Sequence, residues 1–145
     1  MRETWLRARL AEAGAVAGSV HRRRGALLHL EAAVHLPPPV VAAIQRIPKG
    51  KGMAGLAWAR RAPVSTCNLA ADPSGDVRPG AKTVAAGAAV AVPVFDGAGR
   101  LRGVVGFAFA EEMPLGPDAL SSLGALAATL PEGPPQAGDD RRPPT

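Results

Sequence analysis

The sequence has a single cysteine, Cys67, and few aromatic residues, with two Trp, three Phe and no Tyr among 145 residues. One cysteine cannot form a disulfide within the chain or supply a cysteine-based zinc cluster, which fits a reducing compartment. Scarce aromatic side chains leave few platforms on which nucleic-acid bases could stack. These two absences argue against a disulfide-stapled domain, a structural zinc domain and a single-stranded nucleic-acid binder.

The sequence also lacks a long apolar run. Residues 1–10 interleave Arg2, Arg7 and Arg9 with apolar residues, unlike the continuous apolar block of a signal peptide. No stretch approaches the roughly 20 residues that a membrane-spanning helix needs. We therefore expect a cytoplasmic protein with no membrane contact. The net charge of +5 is scattered apart from residues 22–24 and 60–61, so nucleic acid is not an expected partner either.

Apolar residues make up 47% of the chain, which is enough for one core in a chain too short for two ordinary domains. We divide the sequence into an amphipathic helix in residues 1–24, an α/β domain of the α+β type in residues 25–130, and a tail in residues 131–145. The tail is rich in Pro, Gly and charge and cannot bury enough apolar surface to order itself. We expect it to be disordered.

Two stretches have apolar residues at helical spacing, one at each end of the expected domain. The first predicts a helix from Trp5 to Val20 with an apolar stripe of Leu6, Leu10, Ala13, Ala17 and Val20. The second begins at Gly116 and Pro117 and carries Leu120, Leu123, Ala127 and Leu130. The pattern leaves open whether the first stripe covers the domain's own sheet or the same helix of a second subunit.

The segments between these helices alternate between strand, turn and short-helix patterns. In chain order, they predict a strand over 28–36, two helical turns over 40–47, a glycine turn and short helix over 49–61, a strand over 64–69, a long loop over 70–87, and a hairpin of strands 90–94 and 105–109. Pro93 inside the first hairpin strand indicates an edge or a bulge. Long loops of this composition are usually functional or mobile.

Residues 50–55, with the sequence GKGMAG, match the GxGxxG spacing of dinucleotide-binding turns. The context does not fit that use, because Pro48 interrupts the approach of a strand. The next strand begins only at Val64, which leaves too few residues for a crossover helix. We interpret the glycines as a structural turn.

Three motifs in this order resemble the GAF family. The first is residues 47–57, IPKGKGMAGLA, which are similar to the family's glycine turn and following short helix. The second is residues 62–64, APV, followed by a strand and the Asp72-Pro73 loop. The third is residues 91–94, AVPV, a turn, and residues 102–106, RGVVG. Together these motifs cover about residues 25–109.

The resemblance implies a central antiparallel sheet with helices packed on one face and a loop-covered small-molecule pocket on the other. It also implies a homodimer formed through the terminal helices, as is common in the family. The long loop would then roof the pocket. We expect the pocket to be lined or gated by Trp58, Cys67, Asn68, Asp72, Arg78 and Lys82. The two basic side chains among them suit a small anionic ligand.

Cys67 lies in an apolar strand, where a thiol is commonly an inert buried group. A nearby cation such as Arg78 or Lys82 would instead lower its pKa and make it a redox sensor. Free methionine sulfoxide reductases resemble this architecture but use two cysteines, and one cysteine cannot form their intramolecular disulfide. His29, Glu31 and His35 share one strand face, and we interpret that face as surface and not as a metal site.

The sequence contains no nucleophile elbow and no paired carboxylates in a context that supports catalysis, so it does not indicate catalysis and it identifies no cofactor. The leading hypothesis is a regulatory GAF-like domain that binds a small ligand and signals through an unknown output protein. The first alternative is an interaction module whose pocket is filled by side chains and whose leucine stripes contact other subunits. The second alternative is a single-cysteine redox sensor or methionine-sulfoxide-reductase-like protein.

Overall fold

The computed structural model describes residues 2–66, 87–111 and 114–131. The elements within those residues are, in chain order, α1 (Arg2–Ala13), β1 (Ala17–Arg24), β2 (Leu27–Val34), α2 (Pro38–Ala43), β3 (Arg46–Pro48), α3 (Gly52–Arg60), β4 (Val64–Thr66), β5 (Ala88–Phe95), β6 (Leu101–Phe109) and α4 (Pro117–Ala127). None of these helices is both long and apolar enough to cross a lipid bilayer.

The six strands form one sheet in the order β3-β2-β1-β6-β5-β4. Every pair of neighbours is antiparallel. The predicted α+β class with a central antiparallel sheet is therefore confirmed. An antiparallel sheet does not contain the parallel strands that a dinucleotide-binding turn at residues 50–55 would require.

The terminal helices α1 and α4 cover one face of this sheet. Leu6 and Leu10 of α1 are buried against it, as are Leu123 and Leu130 at the C-terminal end. The sheet contributes large residues to this layer, among them Val20, Val92, Val105, Phe107 and Phe109. Of the two roles left open for the first apolar stripe, the structure shows that Leu6 and Leu10 cover the chain's own sheet.

The predicted helix from Trp5 to Val20 is wrong in its second half. Gly14 has a φ of 74°, and the amides of Gly14 and Ala15 donate to the carbonyls of Ala11 and Leu10. This pair of hydrogen bonds around a left-handed glycine is a common way for a helix to end. Residues 17–24, which we assigned to the N-terminal helix, are β1 and lie between β2 and β6. The sheet thus begins before residue 25.

The predicted helix over residues 40–47 is only partly right, whereas the predicted hairpin is right. The helix expected over residues 40–47 ends at Ala43, and residues 46–48 form β3 at the sheet edge. The hairpin of β5 and β6 is confirmed, and so is the edge expected at Pro93. β4 pairs only with Ala89–Ala91 of β5, so no described strand pairs with β5 at Pro93 on that side. An edge position tolerates the missing amide hydrogen of proline.

The second face of the sheet carries α2 and α3 over a smaller apolar cluster. Leu28, Ile47, Ala57 and Val104 are buried members of that cluster. Gly55 of α3 packs so closely on β3 that an added Cβ would lie 2.5 Å from the carbonyl oxygen of Pro48. The short helices therefore rest on this face at one end and leave space over its centre.

Candidate functional site

A cavity of about 230 Å³ lies between the centre of the sheet and the short helices. The described residues that line it come from β1, β5 and β6 of the sheet, from β3 at the sheet edge, from α2 and α3 above, and from the residues Leu36 and Ile44 on either side of α2. They are Gly18, Ser19, His21, Leu36, Val40, Ala43, Ile44, Ile47, Gly52, Met53, Ala54, Ala89, Val90, Ala91, Val104, Gly106, Phe107 and Ala108. This is the space in which the family resemblance places a ligand.

The floor of the cavity consists of small residues because of how three strands are registered. Ser19 pairs with Gly106, and Gly106 also pairs with Ala91. The next row on the same face of the sheet contains Ala108 and Ala89. Side chains alternate between the two faces of a strand. The intervening rows, such as Val20, Val105 and Val92, therefore point to the opposite face and fill the core under α1 and α4.

The roof is set by the glycine turn before α3. Gly50 and Gly52 have φ values of 88° and 66°, a region that L side chains rarely adopt. The amide of Gly50 donates to the carbonyl of Gly55, which closes the turn. The turn directs α3 over the sheet so that Met53 and Ala54 reach the cavity. The glycines act structurally, as the sequence indicated.

His21 of β1 is a buried polar residue in the cavity wall, with only 2% of its surface exposed. Its Nε2 lies 2.8 Å from the carbonyl oxygen of Ile44. A carbonyl can only accept, so Nε2 carries the hydrogen, and the neutral ring then presents Nδ1 as an acceptor. Nδ1 is buried and has no hydrogen-bond partner among the described residues.

The charge state of His21 follows from its surroundings. Burial lowers its pKa below the ordinary 6.5, and this outweighs the backbone hydrogen bond to Ile44, which raises the pKa. The nearby His29 lowers the pKa of His21 further. The ring is therefore neutral at pH 7, and its free Nδ1 is an acceptor inside a mostly apolar lining.

The neighbouring residue on β1 belongs to the other face of the sheet. Arg22 is 3% exposed, and its Nε donates to Glu31 at 2.8 Å. Glu31 also accepts from Nε of Arg2 in α1 at 2.7 Å, and Nη2 of Arg22 lies 3.5 Å from the carbonyl oxygen of Pro131. Burial would raise the pKa of Glu31, but the hydrogen bonds from Arg2 and Arg22 outweigh it and hold that pKa below 4.5. β1 thus joins the cavity to both ends of the domain.

The predicted site residues divide into one that the structure describes and five that it does not. Trp58 is not among the residues that line the cavity. Its ring packs at the edge of the second cluster, with Arg23 and Lys49 at 5.7 and 5.8 Å from the ring centre. Cys67, Asn68, Asp72, Arg78 and Lys82 lie outside the described residues.

Sequence reasoning missed the two polar residues of the described lining, Ser19 and His21. Both fall where we extended the first helix or placed a break, so their alternation along a strand was not considered. The available signal was Gly14, a frequent helix stop, followed by eight residues that can form a strand. With the helix ended there, Ser19 and His21 would have been placed on one face of a strand.

The three residues considered as metal ligands, His29 and Glu31 on β2 and His35 just after it, do not converge. Glu31 is paired with the two arginines, and Nδ1 of His35 lies 3.1 Å from the carbonyl oxygen of Val16. Within the described ranges no group of three His, Cys, Asp or Glu side chains is arranged to hold a metal ion. Other residue types that can bind a metal, Cys67, Asp72 and Asp76, lie outside those ranges.

Comparison with known proteins agrees with this architecture. A family model described as GAF domain matches residues 6–130. The search of curated proteins gives no match. Similar solved structures include the GAF domain of a phosphoenolpyruvate-protein phosphotransferase from Acinetobacter, at 18% identity and a TM-score of 0.70, covering 89% of this chain and 76% of that one.

Two further similar structures are reductases. The free methionine-R-sulfoxide reductase from Neisseria meningitidis, in complex with its substrate, is 24% identical with a TM-score of 0.64, covering 87% of this chain and 75% of that one. The type II free methionine-R-sulfoxide reductase from Thermoplasma acidophilum is 17% identical with a TM-score of 0.66, covering 89% of this chain and 93% of that one. At these identities the likeness shows the shared fold and no more.

Proposed function

This chain belongs to the GAF domain family, and we propose that it is a sensory domain that binds a small ligand in the cavity between the sheet and the helices α2 and α3. A partner protein would read the bound state. The observation that carries the proposal is the cavity itself, with a floor of small residues that leaves about 230 Å³ unfilled. A concave, mostly apolar space with a few polar groups is typical of a small-molecule site.

The arrangement of β1 supports transmission of the bound state. Ser19 and His21 line the cavity, while Val20 and Arg22 belong to the opposite face under the terminal helices. Arg22 reaches Glu31, and Glu31 is shared with Arg2 of α1. A ligand that moves β1 would therefore change contacts made by the N-terminal helix. The coupling would be measured as altered hydrogen exchange in α1 when the cavity is filled.

The ligand-free interaction module is less well supported. It needs a cavity filled by side chains, and it needs the leucine stripes at an outer surface. Leu6, Leu10, Leu123 and Leu130 are instead each at most 5% exposed within the single chain. A homodimer through the terminal helices remains part of our proposal, and it would use the outer sides of α1 and α4. The output protein also remains a prediction.

The charge of the ligand was predicted from Arg78 and Lys82, which lie outside the described residues. The described lining contains no Lys, Arg, Asp or Glu. An anionic ligand therefore stays a prediction that depends on those two side chains alone.

The proposal is tested by native mass spectrometry of the protein purified from its own cells. We expect an extra small mass that is lost on denaturation. Ala89→Leu adds three carbon atoms to the cavity floor and should abolish that mass. Ala42→Leu makes the same change on the exposed side of α2, outside the lining, and should retain it. A bare wild-type protein would contradict the proposal.

A second candidate function is favoured by the similarity to two free methionine-R-sulfoxide reductases. With Cys67 as the only cysteine, a reductase of this kind would need an external thiol to release the oxidised enzyme. The test is turnover of free methionine-R-sulfoxide with an added thiol. Turnover that disappears in Cys67→Ser would support this function, and no turnover in the wild type would exclude it.

A further inference from the structure

We infer that the cavity takes an uncharged, mostly apolar molecule, about the size of a substituted ring or two fused rings, that donates one hydrogen bond to Nδ1 of His21. This inference rests on the proposed function, because it assumes that the cavity is the ligand site. It adds the chemical class of the ligand and the residue that would select it.

The size follows from the volume. A cavity of roughly 150 Å³ lined by apolar side chains stays dry and binds benzene. The cavity here, at about 230 Å³, is about half as large again. A ring with one or two substituents, or two fused rings, would fill it. The apolar floor and roof would contact the faces of such a molecule.

The hydrogen bond follows from His21. The ring is fixed by its Nε2 hydrogen bond to Ile44, so Nδ1 cannot be satisfied by changing the tautomer without losing that bond. Leaving a buried polar atom without a partner is unfavourable, and most buried polar atoms in folded proteins have a hydrogen-bond partner. Nδ1 has no partner among the described residues, so a ligand N–H or O–H group that donates to it would complete its hydrogen bonding.

The absence of charge follows from the rest of the lining. The described residues of the cavity include no charged side chain that could pair with an ionised ligand. Burying an unpaired ion in apolar surroundings is strongly unfavourable. The low pKa of His21 means that its ring supplies no positive charge at pH 7. A neutral donor therefore fits this wall better than an anion or a cation.

The experiment compares phenol, toluene and benzoate, which share one ring and differ in the group that would face His21. Binding to dialysed full-length protein is measured by calorimetry. In the wild type we expect phenol to bind about tenfold more tightly than toluene, the effect of about one hydrogen bond. Benzoate should bind most weakly.

Two variants locate the effect. His21→Gln can still donate to Ile44 through its amide nitrogen, and its amide oxygen replaces Nδ1 as the acceptor without the ring that fixes the acceptor's position. The tenfold preference for phenol over toluene should then fall. His29→Gln makes the same change on β2, outside the described lining, and should leave the preference for phenol unchanged. Thermal unfolding checks that each variant is folded.

The outcomes separate the inference from the proposed function. Equal binding of phenol and toluene, a preference that does not fall in His21→Gln, or tightest binding of benzoate would overturn the inference and leave a ligand cavity in place. Binding of none of the three, together with a bare protein in the mass spectrum, would overturn both. If His21→Gln does not fold, ¹⁵N NMR of the wild type decides. Phenol should shift the Nδ1 resonance of His21, and an unchanged resonance would contradict the inference.

Discussion

At the scale of single residues, His21 makes the stability of the domain depend on pH. Burial lowers its pKa in the folded chain below 6.5, so the unfolded chain binds a proton more readily. The stabilising effect of the neutral ring is complete above about pH 6.5 and is lost as pH falls through the lower folded value. Urea unfolding should therefore show a loss of stability between pH 7 and pH 5.

The control for this pH prediction is His21→Gln, which should flatten the curve over that interval. Glu31 acts at lower pH, because its stabilising ionisation is lost only below its ordinary pKa of 4.5. His29 also has a lowered pKa, caused by burial and then by Arg24 and Arg46, but it is less deeply buried than His21. An equally steep curve in His21→Gln would mean that another group carries the effect.

A second residue-scale prediction concerns the ion pairs of Arg22 and Arg7. Arg22→Met removes a buried hydrogen bond to Glu31 and should lower the free energy of unfolding by about 2 kcal/mol. Arg7→Met removes a pair with Glu3 in which both side chains are more than half exposed, and it should change the free energy of unfolding by about 0.3 kcal/mol. Denaturant unfolding measures both changes. If the two variants lost the same free energy of unfolding, burial of Arg22 would not strengthen its pair with Glu31.

At the scale of elements, two glycines in helical regions should respond in opposite directions to alanine. Gly14→Ala places a side chain at a φ of 74° at the end of α1 and should destabilise the domain by about 1 kcal/mol. Gly124→Ala lies inside α4 with open space around its Cβ, and should stabilise the domain by about 0.5–1 kcal/mol. Thermal unfolding of both variants checks the signs, and a stabilising Gly14→Ala would show that α1 does not end there.

The elements that depend on local signals could be predicted from the sequence. The hairpin of β5 and β6 has an alternating pattern on both sides of a turn, and the start of α4 has Gly116 and Pro117. β1 was missed for a physical reason. Val20 continues the helical spacing of Leu6 and Leu10 and faces the same core, so this strand residue imitates another helical turn. Only the break at Gly14 separates the two.

The site was less predictable because its floor exists only in the folded sheet. Ser19, Gly106 and Ala91 come from three distant segments and become neighbours through strand register. Periodicity in one segment cannot show that small residues from three strands coincide. The position of Trp58 beside Arg23 and Lys49 was equally hidden, since those contacts depend on how α3 crosses the sheet.

At the scale of the whole molecule, the terminal helices complete a single core. Leu6 is fully buried within one chain, so Leu6→Ala should lower the free energy of unfolding by about 3 kcal/mol. This loss should be independent of protein concentration, even if the domain dimerises through the outer sides of α1 and α4. Urea unfolding at two protein concentrations tests this. A loss that grows on dilution would make the Leu6 stripe a subunit interface.

The central claim is that the cavity holds a molecule that donates a hydrogen bond to His21. A crystal structure of the protein as isolated from its own cells tests it most directly. We expect electron density between the floor at Ser19 and Gly106 and the roof at Met53, with one atom about 2.7–3.2 Å from Nδ1 of His21. A cavity closed by the chain's own side chains, with Nδ1 bonded to a protein atom, would contradict the account.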